Sequence, residues 1–166
     1  MNPNTPIMVG IGQLAQKGVD LDKALEPIEL MIRAAQAAAE DTGHPEILSK
    51  LDSVRVVRGR WRYKQPAGYI ASRLGSPEAE LIGTPFGGNA VQGLVNRSAL
   101  DILTGKNSLV LLTGAEAGHT QAKLQKLGRE MTYTKTAGSY DGMLDEEVPM
   151  SGAAEVARGI QSPLQM

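Results

Sequence analysis

The chain has 166 residues, with 17 basic against 18 acidic side chains and no cysteine. Its length suits one ordinary domain, since domains commonly have ~100–200 residues. The net charge of -1 and the six aromatic residues (one Trp, one Phe, four Tyr) argue against a nucleic-acid partner. The lack of cysteine excludes disulfides and thiolate metal sites, and we expect no metal. With neither a signal peptide nor an apolar run of ~20 residues, we expect no membrane contact and a cytoplasmic location.

Four short apolar runs predict β-strands, namely residues 6–12, 51–57, 80–84 and 108–113. The segments between them carry apolar residues at helical spacing and predict helices over residues 27–42, 67–74 and 89–104. Pro27 suits a first helical turn, and glycines follow all three segments, as they commonly do where helices end. The order β-α-β-α-β-α-β predicts an α/β fold, with a largely parallel sheet that is covered by helices.

The third predicted helix carries an apolar stripe that is formed by Val91, Leu94, Val95 and Ile102. A stripe of this kind faces a core, so we expect this helix to be buried between layers.

The character of the sequence changes after Glu116. The remaining residues are polar and rich in glycine, with helical patterns only at Gln121–Leu127 and near Ala153–Ala157. We therefore expect a compact unit over residues 1–118 and a looser one over residues 119–166. Residues 161–166 show no closing helix or strand, and we expect the whole protein to continue beyond them.

The most informative segment is the loop Thr84-Pro85-Phe86-Gly87-Gly88-Asn89, which joins the third predicted strand to the third helix. The helix closes at Gly105, and the next strand ends in Gly114-Ala115-Glu116. A loop of this kind aims backbone N–H groups from a helix start, where they bind anionic groups.

These segments resemble the thiolase superfamily. In thiolases a nucleophilic cysteine opens a long helix after the third strand, and a Gly/Ala-x-Gly-x-Glu-type turn follows the fourth. Met150-Ser151-Gly152-Ala153-Ala154-Glu155-Val156-Ala157 is similar to a Met-Gly-x-x-Ala-Glu-x-x-Ala segment of the thiolase loop domain. The resemblance implies a thiolase-like N-terminal half over residues 1–118 and the beginning of a loop domain over residues 119–166.

The resemblance implies an acyl-CoA acyltransferase of the acetyl-CoA acetyltransferase type, acting in lipid or sterol metabolism. Its substrate would be a coenzyme A thioester, with no bound cofactor, and the full-length protein would form a homodimer or a higher oligomer. In register with thiolases, Gly88 occupies the position of the nucleophilic cysteine. The other catalytic residues of the family lie in a C-terminal half that nothing in residues 1–166 matches. We therefore expect this chain alone to be inactive.

Five residues are candidates for the site. Gly87, Gly88 and Asn89 would form the loop that holds the substrate or its oxyanion, although a tight turn with a helix cap explains them without a ligand. Glu116 and His119 form an imaginable acid–base pair. For Glu116 a structural bond to loop N–H groups, and for His119 a surface position, are simpler explanations.

Other sequence features leave alternatives open. Trp61 lies among four basic residues that a coenzyme A phosphate or a partner subunit could contact, or that could simply face solvent. Gly10-Ile11-Gly12-Gln13-Leu14-Ala15 fits a dinucleotide-binding pattern, but neither an adjoining helix nor the acidic residue of that fingerprint follows. Some thiolase-like proteins are retro-aldolases that use tyrosines and a partner, and Tyr133 and Tyr140 are available here. A non-catalytic acyl-CoA-binding or structural subunit is the remaining alternative.

Overall fold

The structure is a computed structural model that describes residues 3–144 and 152–159. The described helices are α1 (Pro27–Asp41), α2 (Pro66–Leu74), α3 (Ala90–Leu103), α4 (Gly118–Lys126) and α5 (Ala153–Ala157), with a short 3-10 helix at Pro45–Lys50. The described strands are β1 (Ser53–Val56), β2 (Glu80–Gly83), β3 (Val110–Thr113) and β4 (Gly142–Met143).

The four strands form one sheet in the order β3-β1-β2-β4, and every pair is parallel. In the register, Val54 of β1 lies beside Leu81 of β2 and Leu111 of β3. Helices α2 and α3 connect β1 to β2 and β2 to β3, as parallel strands require. The predicted α/β class with a parallel sheet is confirmed.

The two faces of β1 pack against different layers, because successive side chains of a strand point in opposite directions. Val54 and Val56 belong to the apolar core together with α1 and α2, whose buried side chains include Ile28, Met31 and Ile70. Arg55 points to the opposite face and hydrogen-bonds side chains of α3. The sheet therefore has α1 and α2 on one face and α3 on the other.

The predicted first strand, residues 6–12, is wrong. This segment pairs with no described strand, and Ile7, Met8 and Ile11 are 75%, 75% and 68% exposed. It lies along α1, where Cβ atoms on Gly10 and Gly12 would overlap the backbone oxygens of Ala38 and Ala34. The two glycines allow this close packing on α1, so strand-like composition alone does not give the segment a place in the sheet.

The dinucleotide-binding alternative fails at the same place. No helix opens on Gly12, and the next described helix begins at Pro27. The two glycines of the pattern serve close packing of the chain against α1.

The expectation that α3 is buried between layers is also wrong. Leu94 is 1% exposed, but Val91 and Val95 are 55% and 38% exposed. The buried face instead includes the polar residues Ser98 and Asp101, which bond Arg55. Apolar periodicity predicts polar residues on the solvent side, but Ser98 and Asp101 face the sheet because they bond the buried Arg55.

Residues after Glu116 add to the sheet domain. The helical pattern at Gln121–Leu127 corresponds to α4, and β4 pairs with β2 in the same sheet. The pattern near Ala153–Ala157 corresponds to α5. Met150 and Ser151 of the loop-domain motif lie outside the described residues, as do residues 161–166. The division of the chain at residue 118 stays a prediction.

Among the described residues, no helix has the length and apolar character that are needed to cross a membrane.

Candidate functional site at the carboxyl edge of the sheet

The loops that follow β1, β2 and β3 meet at the carboxyl edge of the sheet, where open α/β proteins bind their ligands. Hydrogen bonds join them into one surface. The backbone N–H of Arg58, after β1, donates to Thr84 Oγ1, after β2, at 2.9 Å. The backbone N–H of Arg60 donates to Glu116 Oε1, after β3, at 2.7 Å. The three strand ends are thus cross-linked through their loops.

The predicted oxyanion loop lies at this edge. Gly87 O accepts a hydrogen bond from Ala90 N at 3.2 Å, and Asn89 O accepts one from Gly93 N at 3.1 Å, so the turn leads directly into α3. Asn89 is the N-cap residue, but its side chain makes no capping hydrogen bond. A Cβ on Gly88 would have nothing within 4 Å, and Gly88 is exposed. The start of α3 therefore presents open backbone to the solvent beside the strand ends.

Glu116 and His119 do not form a pair. Glu116 is bonded to Arg60 N, which gives it a structural contact with the loop after β1. His119 is exposed in the first turn of α4, and within the described residues its side chain makes no hydrogen bond or ion pair. The other histidine, His44, is exposed beside Glu46 at 3.2 Å.

An aromatic cluster at this edge was not predicted from the sequence. The rings of Trp61 and Tyr63 lie 5.2 Å apart, and Tyr133 meets Tyr63 edge-on at 5.3 Å. The sequence pattern that could have indicated this cluster is the alternation of large and basic residues. Trp61, Tyr63 and Gln65 are buried, whereas the basic residues between them are exposed. Arg58 lies over Trp61, with its Cζ atom 4.7 Å from the ring centre.

Glu26 connects this cluster to α1 and to the later part of the chain. Its Oε2 accepts hydrogen bonds from Tyr63 OH at 2.7 Å and from Thr134 N at 2.8 Å, and Tyr63 OH accepts one from Ile28 N at 3.0 Å. Burial raises the pKa of Tyr63 strongly, and the neighbouring Glu26 carboxylate acts in the same direction. Tyr63 therefore stays protonated as a structural hydrogen-bond donor.

Tyr140 is, with Tyr133, one of the two tyrosines that the sequence offered without a specific role. Its ring packs against Gly83, the last residue of β2, where a Cβ would lie 2.7 Å from Tyr140 Cε2 and 2.9 Å from Met143 Sδ. Burial raises the pKa of Tyr140 to about 12, against the opposing influence of Arg58. Tyr140 is thus a protonated phenol at the edge of the sheet near neutral pH.

Two other possible sites are less informative. Within the described residues, no three His, Cys, Asp or Glu side chains are grouped so as to hold a metal ion. An open groove of about 490 Å³ is lined by side chains of α1 together with Arg73 of α2, including the Glu29–Arg73 ion pair at 3.1 Å. None of its lining residues belongs to the carboxyl edge, so it does not extend the candidate site.

A comparison with solved structures finds a similar chain, a monomeric SCP2-thiolase-like protein type 1 from Mycobacterium smegmatis. The two sequences are 28% identical, the match covers 69% of this chain and 24% of that one, and the TM-score is 0.57. The fold is thiolase-like. No protein-family model matches the sequence, and no curated protein is significantly similar to it.

The present chain spans about a quarter of the length of the M. smegmatis protein. That protein is described as monomeric. The homodimer that the resemblance implied for the present protein stays a prediction.

Proposed function

We propose that this chain is part of a thiolase-like protein that binds acyl-CoA thioesters, with the loop Gly87–Asn89 holding the thioester oxygen. The observation that carries the proposal is the position of Gly88, which is exposed at the start of α3 beside the carboxyl ends of the strands. Backbone N–H groups at a helix start bind oxyanions, and the helix dipole adds to the attraction. The substrates would be acyl-CoA esters of lipid or sterol metabolism, and no cofactor is required.

We further propose that the chain by itself does not catalyse acyl transfer. The reaction needs a nucleophile at the start of the helix, and Gly88 has no side chain. The hydroxyls of the two neighbouring candidates are engaged elsewhere: Thr84 Oγ1 donates to Pro85 O at 2.9 Å, and Ser98 Oγ donates to Leu94 O at 2.7 Å. Ser98 is also buried on the sheet side of α3. Neither hydroxyl has a histidine to activate it.

Binding and catalysis are tested separately. Isothermal titration with acetyl-CoA should show binding to the wild-type chain and to Gly88→Ala, because a methyl group at this position meets open space. Gly88→Glu should abolish binding, since its carboxylate would compete for the same N–H groups. If the wild-type chain does not bind, or if Gly88→Glu binds as well as Gly88→Ala, the proposal is refuted.

Intact-mass analysis after incubation with acetyl-CoA should show no acetyl adduct, and acetoacetyl-CoA should not be turned over. The Gly88→Cys variant tests whether the start of α3 stabilises a negative charge at this position. Its thiol should react with iodoacetamide faster than that of Ala137→Cys, which lies in an exposed loop outside any helix. Equal rates would show that the start of α3 does not stabilise a thiolate.

A further inference from the structure

Tyr140 differs from the other tyrosines in the state of its hydroxyl group. The chain has four tyrosines, and Tyr63, Tyr69 and Tyr133 each have a hydrogen-bond partner at the hydroxyl. Within the described residues, the hydroxyl of Tyr140 has none. Tyr140 is partly exposed, and its hydroxyl oxygen is in contact with solvent. Tyr140 therefore combines a packed ring with a free hydroxyl.

The position of this ring is held from several sides. Gln65, which is 2% exposed, donates from Nε2 to Ser139 O at 3.4 Å, immediately before Tyr140. Immediately after it, Asp141 Oδ2 accepts from Leu81 N at 2.8 Å, and Asp141 N donates to Leu81 O at 2.8 Å. Gly83 leaves the space that the ring occupies. A side chain that is fixed in this way loses little conformational entropy when its hydroxyl binds a ligand.

Arg58 supplies the second group. It lies at the same strand end as Tyr140, because its backbone N–H donates to Thr84 Oγ1 at 2.9 Å and the Tyr140 ring packs against the preceding residue, Gly83. The guanidinium is oriented by the Trp61 ring and by one hydrogen bond, from Nη1 to Tyr63 O at 3.2 Å. A guanidinium has five N–H donors, so most of those of Arg58 remain available, and the residue is exposed.

We propose that Tyr140 and Arg58 form an oxyanion-binding pair, in which the phenol hydroxyl and the guanidinium donate hydrogen bonds to one carboxylate or phosphate group of a ligand at the carboxyl edge of the sheet. Both groups are donors near neutral pH, both are held by the surrounding structure, and both reach the solvent. Hydrogen bonds to an anionic oxygen are stronger than those between neutral groups. The pair makes the proposed function more specific. It depends on that function only if the ligand is coenzyme A.

The test uses the small number of tyrosines. In a chain labelled with ¹³C-tyrosine, Tyr140→Phe assigns the resonance of Tyr140 while it keeps the ring packing against Gly83. Inorganic phosphate, acetate and coenzyme A are then titrated in turn at constant ionic strength. At least one of them should shift the Tyr140 resonance in a saturable way and leave Tyr69, on α2, unchanged. If phosphate and coenzyme A shift the Tyr140 resonance but acetate does not, the ligand group is a phosphate. If acetate shifts it, the ligand group is a carboxylate.

Two substitutions of arginine separate a specific pair from general attraction by positive charge. Arg58→Gln should weaken the apparent affinity by about tenfold or more, the effect expected for the loss of a hydrogen bond to a charged group. Arg62→Gln is the matched control, because Arg62 is also an exposed arginine and lies in the same segment of the chain. No saturable shift of Tyr140 with any of the three ligands, or equal effects of the two substitutions, would overturn the pair.

The outcome is distinguishable from that of the proposed function. Coenzyme A binding that is seen by calorimetry, but without a Tyr140 shift, refutes the pair and leaves acyl-CoA binding standing. A Tyr140 shift with phosphate or acetate in a chain that does not bind coenzyme A supports the pair and refutes acyl-CoA binding.

Discussion

Arg55 Nη2 donates to Asp101 Oδ2 at 2.6 Å, and this ion pair joins the buried face of β1 to α3. The two side chains are 1% and 7% exposed. Arg55 also donates to Ser98 Oγ at 3.1 Å and to Asn107 Oδ1 at 3.0 Å, so its charge is surrounded by acceptors. The helix whose start carries the candidate site is therefore fixed to the sheet by polar contacts as well as by Leu94.

Removing one partner of this pair should be strongly destabilising. Asp101→Ala leaves the Arg55 guanidinium buried without its closest anion, and we expect a loss of ~3–5 kcal/mol in the free energy of unfolding. Arg97→Ala is the control, because Arg97 also pairs with Asp101, at 3.0 Å, but is 53% exposed. It should cost less than about 1 kcal/mol. Urea unfolding measures both, and similar losses would contradict a dominant role of the buried pair.

The same pair predicts a dependence of stability on pH. Burial by itself would raise the pKa of Asp101, but the hydrogen bond and charge of Arg55, with Arg97 and Lys106, hold it below the ordinary value of 3.8. A carboxyl whose pKa is lower in the folded chain contributes stability that is complete above the unfolded pKa and is lost as pH falls through the folded pKa. Unfolding free energy should therefore decline below about pH 4. Asp101→Asn should show a shallower decline, and an unchanged slope would contradict this origin.

The sequence predicted the parts of the fold that depend on local composition. The apolar strands β1, β2 and β3 and the helices between them lie close to their predicted positions, and the placement of Gly88 follows from their order. Arg55 shows the limit of such an analysis: it lies within an apolar strand, and nothing local indicates that Asp101, 46 positions later, neutralises it. Tyr140 is a second case, because its place depends on the space above Gly83, far away in the sequence.

The two faces of α3 should respond differently to substitution. Leu94 is 1% exposed against the sheet, and Leu94→Ala should cost ~2–5 kcal/mol. Val95 is 38% exposed, so Val95→Ala should cost less than about 1 kcal/mol in this chain. Thermal unfolding of the two variants gives the comparison. A loss for Val95→Ala as large as that for Leu94→Ala would mean that the outer face of α3 is covered in solution.

Gly59 and Gly88 provide a matched pair of glycines at the candidate site. A Cβ on Gly59 would overlap Trp61 Nε1 and lie 2.8 Å from Glu116 Oε1, whereas one on Gly88 would have nothing within 4 Å. We expect Gly59→Ala to cost ~1–3 kcal/mol through overpacking. Gly88→Ala should change stability by no more than about 0.5 kcal/mol. Chemical denaturation followed by Trp61 fluorescence measures both, and equal stabilities would show that the loop after β1 adjusts freely.

The contact between the N-terminal segment and α1 depends on Gly10. A Cβ at this position would overlap Ala38 O, a backbone atom that the helix cannot move, and one residue later Ile11 N donates to Asp41 Oδ2 at 2.9 Å. Gly10→Ala should therefore detach the segment and accelerate hydrogen exchange of the Ile11 amide by roughly tenfold or more. Global stability should change little, because Ile7, Met8 and Ile11 are already mostly exposed. Ala15→Ser, at an exposed position of the same segment, is the control. Exchange of the Ile11 amide at the wild-type rate in Gly10→Ala would show that the segment is not held against α1.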